Sequence, residues 1–314
     1  MSQPVTRRTF VASALAMALS IPVLTREVAA QAGTPAAGGL AQLGLPELKV
    51  TTTKTGFEGI ASSMAAGRYL LSASGEPDTA VAFVQPTGGM TVDDFLGFLK
   101  GMGQASPASG GTPSSGSDSQ GGQPPAFFYD FLLAGGAAVA PGATTQAVID
   151  LTPGDWFAWG DDPTSPLTPV KFTVTGTIPA SLPEPKANAT ITFSDFAINI
   201  TDGSLVSGDN VIKLVNGGAQ PHFLVLMKGP DDMTKDDVKG ALDAEMTGTP
   251  AAGGLNPQKD LMPILGTESQ SKGTMAWAEA KLDPGTYVGL CFFPDKDSGM
   301  PHAYMGMYNV FTVA

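Results

Sequence analysis

Three side chains stand out in this chain of 314 residues, because they are its only thiol and its only imidazoles: Cys291, His222 and His302. All three lie in the second half of the chain, and Met305 and Met307 follow His302 closely. One soft thiolate, two imidazoles and a weakly bound thioether form a donor set that suits copper cycling between Cu(I) and Cu(II). The sequence therefore predicts a copper site, provided that the fold brings these residues together.

The spacing of these residues follows a recognisable pattern. It begins with N-x-G-x-x-x-H, which ends at His222, and continues after a long gap with C-x10-H-x4-M, which runs from Cys291 through His302 to Met307. Over residues 186–314 this pattern resembles that of the blue copper proteins, the cupredoxins. The segment FFPDKDSGMP makes the interval between Cys291 and His302 longer than in familiar members of that family. It must bulge out and return His302 to the metal.

The resemblance implies one copper ion in the second half of the chain. His222, Cys291 and His302 would be its equatorial ligands and Met307 its axial ligand, with Met305 as the alternative. The contrasting interpretation is a metal-free, degenerate cupredoxin, in which the histidines end strands and Cys291 is a small buried hydrophobe.

The chain also repeats itself, which is informative about its domains. Segment 79–91 (TAVAFVQPTGGMT) aligns with 222–234 (HFLVLMKGPDDMT), and LTPGDW at 151–156 aligns with LDPGTY at 282–287. Further along, FTV recurs at 172–174 and 311–313. Thr79 stands in the first copy where His222 stands in the second, and Gly160 stands where Cys291 does. We therefore expect a degenerate domain without metal ligands at 45–178 and a domain with the copper site at 186–314.

The composition and the apolar pattern favour an all-β fold. The chain contains 39 Gly and 26 Pro, and its short apolar runs alternate with period two between turn residues. Each repeat also contains a short helical segment that begins at a threonine, Thr91 or Thr234, with two aspartates in its first turn. The prediction is two tandem cupredoxin-like Greek-key β-sandwiches, each with an inserted short helix.

The first thirty residues have the pattern of an export signal. The segment TRRTF precedes an apolar run from Phe10 to Leu24, and small residues precede a cleavage point after Ala30. This is typical of a twin-arginine signal peptide, which predicts a periplasmic, cell-surface or secreted protein without a transmembrane span in the mature chain. Residues 31–44 are predicted to be a flexible tether and 103–125 a low-complexity linker.

Charge excludes one class of partner and suggests another. The chain has 29 Asp and Glu against 17 Lys and Arg, a net charge of -12, which disfavours binding to nucleic acid. Asp295 and Asp297, close to the predicted ligands, could steer a redox partner by their charge.

The predicted function is one-electron transfer through a type 1 (blue) copper site, with redox partner proteins outside the cytoplasm. Alternatives are storage or delivery of Cu(I) by the stretch GMPHAYMGM and a metal-free binding module. An enzyme is disfavoured, because multicopper oxidases need further histidines and the chain has only two. The oligomeric state is left open.

Overall fold

The computed structural model describes residues 39–75, 79–97, 126–139, 144–160, 168–248 and 254–314. The predicted signal peptide, the tether up to residue 38 and the linker at 103–125 lie outside these ranges. Within the described ranges, none of the helices combines the length and apolar character that a membrane crossing requires.

The strands of the first half are β1 (Glu47–Thr52), β2 (Phe57–Glu58), β3 (Ser63–Ala65), β4 (Gly67–Gly75), β5 (Thr79–Gln85), β6 (Leu132–Val139), β7 (Thr144–Leu151), β8 (Gly154–Trp159) and β9 (Val170–Thr175). Those of the second half are β10 (Ala189–Ser194), β11 (Ala197–Gly203), β12 (Gly208–Asn216), β13 (Val225–Lys228), β14 (Met262–Gly266), β15 (Met275–Leu282), β16 (Gly285–Leu290) and β17 (Tyr308–Val313). Burial alternates along β1, β10 and β12, as expected for strands with one face on a core.

The helices are α1 at residues 92–97, α2 (Lys235–Thr247) and α3 (Pro257–Asp260). The predicted threonine caps are present at both inserted helices. The Asp94 backbone N–H donates to the Thr91 hydroxyl, and the Asp94 carboxylate accepts from the Thr91 backbone N–H. Thr234 and Asp237 make the same reciprocal pair at the start of α2. Each pair satisfies two N–H groups that the helix itself leaves without partners.

The strands form three sheets, and one of these sheets runs through both halves. The long sheet has the order β11-β10-β12-β15-β7-β4-β1-β2, while β3-β9-β8-β5-β6 and β14-β13-β16-β17 form the other two. Val50, Phe83 and Trp156 belong to the core of the first half, and Phe193 and Val288 belong to that of the second. The predicted all-β class with two sandwiches is confirmed, and the continuous sheet is an addition that the sequence did not predict.

The two halves meet where β7 pairs with β15. In this antiparallel pair Ala147 lies opposite Ala278. Each alanine precedes its own copy of the LTPGDW or LDPGTY motif by the same number of residues, so equivalent positions face each other. An approximate twofold axis therefore passes between these two alanines.

The register inside the two sandwiches also coincides. In the first half Ala82 of β5 pairs with Trp159 of β8, and in the second Val225 of β13 pairs with Leu290 of β16. These four residues occupy matching positions in the aligned segments. The second sandwich thus presents its functional loops on the same framework as the first.

The end of the predicted tether lies against the body of the protein. Leu40–Leu43 form a 3₁₀ segment, and Leu40 is buried with Leu70, Val148 and Trp277 where the two halves join. The Leu40 backbone N–H donates to the Glu279 carboxylate. Residues 39–44 thus differ from the flexible conformation that the sequence predicts.

Candidate metal centre

The four-stranded sheet brings the scarce residues to one of its ends. Cys291 directly follows β16, and Met307 directly precedes β17. Leu290, the last residue of β16, pairs both with Val225 at the start of β13 and with Tyr308 at the start of β17. Because His222 lies shortly before β13, it reaches the same end of the sheet.

The nitrogen and sulfur atoms of Cys291, His222 and His302 converge there. The Cys291 Sγ atom lies 3.8 Å from Nδ1 of His222 and 3.8 Å from Nδ1 of His302, and the two Nδ1 atoms are 3.1 Å apart. The point equidistant from these atoms is about 2 Å from each, close to the lengths of metal–imidazole and metal–thiolate bonds. All three residues are 0% exposed. Within the described ranges this is the cluster of His, Cys, Asp and Glu donors that could hold a metal ion.

The long interval between Cys291 and His302 is closed at its base by hydrogen bonds. The His302 N–H donates to the Phe293 carbonyl at 2.8 Å, and Pro294 and Pro301 form an isolated β-bridge. Beyond that bridge the Asp295 N–H donates to the Met300 carbonyl at 2.8 Å. We name residues 293–302 the ligand hairpin. Because its ends meet, His302 lies beside Cys291 despite the intervening residues.

The ligand hairpin is also tied to the loop that carries His222. The Gln220 amide donates to one oxygen of the Asp295 carboxylate at 2.8 Å, and its own oxygen accepts from the Lys296 N–H at 2.7 Å. The other Asp295 oxygen accepts from the N–H and the hydroxyl of Ser298. Asp295 is 4% exposed, and its carboxylate is hydrogen-bonded inside the hairpin. Steering of a partner by the charges of Asp295 and Asp297 stays a prediction.

Burial separates the two methionines that follow His302. Met307 is 0% exposed, whereas Met305 is 38% exposed. The Met307 backbone also joins the two ligand residues on either side of it: its N–H donates to the His302 carbonyl at 2.9 Å, and its carbonyl accepts from the Cys291 N–H at 3.2 Å. Met307 is therefore the methionine that the fold buries, with its backbone hydrogen-bonded to His302 and Cys291.

A carboxylate orients the first imidazole. Nε2 of His222 lies 3.1 Å from a carboxylate oxygen of Asp195, in the turn between β10 and β11. The backbone N–H groups of Ala219 and Gln220 also donate to that carboxylate. Burial raises the pKa of Asp195, but these three hydrogen bonds outweigh it and hold the pKa below its usual value. Burial lowers the pKa of His222 to about 4, although Asp195 opposes the shift, so the imidazole is neutral at pH 7.

The hydrogen bonds then assign the protons of the metal-free site. An ionised Asp195 can only accept, so the proton of His222 is on Nε2 and its Nδ1 is a lone pair. Burial lowers the pKa of His302 to about 3, so this imidazole is neutral too, and its Nδ1 lies 3.1 Å from Nδ1 of His222. Its Nε2 atom is buried and has no hydrogen-bond partner. Burial raises the pKa of the Cys291 thiol to about 12, so the thiol is protonated in the absence of a cation.

These donors fit copper. Two neutral imidazoles and one thiol face each other, and a soft cation bound among them would displace the thiol proton and bind a nitrogen lone pair of each imidazole. Copper bound there would supply one-electron chemistry. The residues of the chain would hold it away from water and keep its ligands in place.

An aromatic ring covers the second imidazole. The ring of Phe196 meets that of His302 edge to face, with centroids 5.2 Å apart. Phe196 has a φ of 64°, the left-handed conformation, which a bulky residue adopts only at a cost of about 1 kcal/mol or more. The turn between β10 and β11 thus contacts both histidines, one through Asp195 and the other through Phe196.

Sequence reasoning missed Asp195, Phe196 and Gln220. The sequence indicates a turn at Asp195, between two strands of alternating pattern, but nothing in it relates that turn to a residue 27 positions further on. The hairpin bridge was also missed, because a β-bridge between two prolines has no local signature.

Comparison with solved structures gives weak likenesses to copper proteins. The chain is 23% identical to auracyanin from Roseiflexus castenholzii, covering 40% of this chain and 94% of that one with a TM-score of 0.27. The identity to auracyanin A, a "blue" copper protein from Chloroflexus aurantiacus, is 18%; the match covers 40% of this chain and 96% of that one, with a TM-score of 0.26. The identity to a copper nitrite reductase from Nitrosomonas europaea is 11%; the match covers 85% of this chain and 93% of that one, with a TM-score of 0.21.

No protein-family model and no curated protein matches the chain. At these TM-scores the likenesses establish nothing about the metal centre, which is defined by the positions of its own side chains. The chain is similar, at this low level, to blue copper proteins of known structure.

Proposed function

We propose that this chain is an exported copper protein that carries one electron at a time through a type 1 copper site. His222, Cys291 and His302 are its equatorial ligands, and Met307 is its axial ligand. The observation that carries the proposal is the convergence of one Sγ and two Nδ1 atoms on a common point about 2 Å away, within metal–ligand bond length.

The surroundings of these donors favour electron transfer. The ligands lie at strand ends and in a hairpin that is hydrogen-bonded at its base, so they can keep their positions when the metal changes charge. Full burial keeps water from the metal, which favours outer-sphere electron transfer over chemistry on a bound substrate. Both histidines of the chain are used in this one cluster, which leaves no imidazole for a second, catalytic copper.

The rest of the proposal concerns the organisation of the chain. Residues 45–178 are a degenerate cupredoxin-like domain and residues 186–314 are the copper domain, derived from a duplication; the common strand register supports this. The N-terminal sequence supports export by the twin-arginine route, and the redox partners are proteins outside the cytoplasm.

Addition of Cu(II) to the purified mature chain tests the proposal. We expect an intense visible band from thiolate-to-copper charge transfer at one copper per chain, and no such band in Cys291→Ser, which keeps the shape of the side chain but not its soft donor. Circular dichroism of both proteins checks that the substitution leaves the fold intact. A wild-type chain that binds no copper would overturn the proposal and leave a metal-free binding module.

A second candidate function is storage or delivery of Cu(I). Met300 and Met305, on either side of His302 in sequence, are 37% and 38% exposed, and thioethers are ligands that Cu(I) prefers. If this is the function, Cys291→Ser keeps most of the affinity for Cu(I), and the double variant Met300→Leu/Met305→Leu loses it. If electron transfer is the function, the opposite is expected.

A further inference from the structure

The ligand hairpin is in contact with the first half of the chain. The 3₁₀ segment Ala126–Asp130, which precedes β6, lies against it. The Tyr129 hydroxyl donates to the Pro294 carbonyl at 3.1 Å, and the Tyr129 ring meets that of Phe293 edge to face at 5.8 Å. The Phe128 ring stacks on the same phenylalanine at 6.4 Å.

These contacts involve Phe293, which positions the proposed ligand His302. The Phe293 carbonyl accepts the hydrogen bond from the His302 N–H that closes the hairpin, and the Phe293 and His302 rings lie 6.0 Å apart. A displacement of Phe293 would therefore move His302. Burial, together with the charges of Asp295 and Asp297, raises the pKa of the Tyr129 hydroxyl, so it stays a donor.

The first half also supports the other histidine, through a separate set of bonds. His222 and Gln270 exchange both backbone hydrogen bonds, at 3.0 and 2.9 Å, and Gln270 also forms a bridge with Ala134 of β6. Next to it the Ser271 hydroxyl donates to the Phe131 carbonyl at 2.6 Å and accepts from the Leu133 N–H at 2.9 Å. The backbone of His222 thus rests on a segment that is fixed to the first half.

We propose that the first half, which contains no His or Cys residue, is a clamp that positions both histidines of the copper site. Tyr129 is its positioning residue toward His302. The inference rests on the proposed function, because it gives the first half a role in that same site. It predicts that the loss of one hydroxyl group in the first half changes the metal centre in the second.

The test compares Tyr129→Phe with Tyr69→Phe in the full chain. Both substitutions remove a tyrosine hydroxyl that donates to a backbone carbonyl, but the partner of Tyr69 is Ala65, in the first half itself. In the metal-free protein we expect the amides of Asp295, Gly299 and His302 to exchange with solvent roughly two- to tenfold faster in Tyr129→Phe, the factor that one ordinary hydrogen bond supplies. Tyr69→Phe should leave these amides unchanged.

The copper-loaded protein supplies the second measurement. Tyr129→Phe should shift the charge-transfer band and the electron paramagnetic resonance spectrum of the bound Cu(II). It should also speed the release of copper to a chelator several-fold. Tyr69→Phe should match the wild type in all three measurements. Equal exchange and equal spectra in the two variants would overturn the clamp. Failure of the proposed function looks different, because the wild type itself would then show no band; the exchange measurement still tests the clamp on the hairpin.

Discussion

At the scale of single residues, the site depends on which nitrogen of each imidazole carries the proton. The Asp195 carboxylate holds the proton of His222 on Nε2 and leaves Nδ1 free toward Cys291. Nε2 of His302 is buried and has no such partner among the described residues, so no carboxylate fixes its tautomer. The two imidazoles are therefore prepared to different degrees for metal binding.

Asp195→Asn should weaken copper binding about 10- to 100-fold, because a neutral amide oxygen accepts more weakly from Nε2 of His222 and the amide nitrogen would face the Ala219 N–H. Competition with a chelator of known affinity measures the change. Asp155→Asn is the control, since Asp155 accepts from the Thr173 hydroxyl in the first half. Equal affinities for both variants would contradict the role of Asp195.

The two methionines give a prediction about the axial position. Met307→Leu should raise the reduction potential, because loss of a donor destabilises Cu(II) more than Cu(I), whereas Met305→Leu should leave it unchanged. Both substitutions keep an apolar side chain of similar volume. Voltammetry of the copper-loaded variants decides the assignment, and a shift confined to Met305→Leu would reverse it.

At the scale of elements, the ligand hairpin explains how a long loop can carry a metal ligand. Its stability in the metal-free chain depends on the Asp295 carboxylate, which accepts from Gln220, Asp297 and Ser298. Burial raises the pKa of Asp295, but the hydrogen bonds more than offset this and lower the pKa below its usual value of 3.8. The stabilisation is therefore present above the unfolded-state pKa and is lost as the pH falls through the folded-state pKa.

From this sign we expect Asp295→Asn to lower the free energy of unfolding of the metal-free chain by about 1–2 kcal/mol at pH 7, since the amide group would face N–H donors. The difference from the wild type should shrink as the pH falls below about 4 and both side chains become neutral. Urea unfolding at a series of pH values measures it. A difference that stays constant down to pH 2 would argue against an ionised Asp295 in the hairpin.

The sequence predicts those parts of the molecule that have a local or chemical signature. Alternation predicts the strands, Thr91 and Thr234 predict the helix starts, and the scarcity of His and Cys singles out residues that the fold does bring together. It does not predict the bridge from Pro294 to Pro301 or the contact of Asp195 with His222. Both depend on how distant segments approach each other, and no single segment specifies that.

At the scale of the whole molecule, the continuous sheet couples the two halves. Arg68 of β4 lies at their junction: its guanidinium binds both oxygens of Asp150, at 2.7 and 2.9 Å, and lies 4.3 Å from the Trp277 ring centroid in the second half. It also donates to the Pro183 carbonyl, between the two sandwiches in sequence. We therefore expect calorimetry to show one unfolding transition for both halves.

Arg68→Ala should lower the free energy of unfolding by about 3 kcal/mol or more, because it leaves a partly buried carboxylate without its partner. The unfolding temperature of this variant should be lower than that of the wild type, and the charge-transfer band of the copper-loaded variant should be lost at that same temperature. Lys239→Ala is the control: its ion pair with Asp243 is exposed, so its loss should leave the free energy of unfolding nearly unchanged. A variant in which the copper half melts separately would contradict the coupling.

The pairing of β7 with β15 has a consequence for how the molecule behaves in a crowded solution. If the two halves were separate sandwiches, β7 and β15 would each be an edge strand with unpaired backbone groups. Such edge strands can pair with other chains and cause aggregation. In this protein the two strands pair with each other. The long sheet ends on one side with a strand of two residues and on the other with β11, whose pairing with β10 is interrupted by an irregularity after Thr190. The paired backbone groups of β7 and β15 are not available to a third partner, so the pairing that joins the two halves also removes one route to self-association.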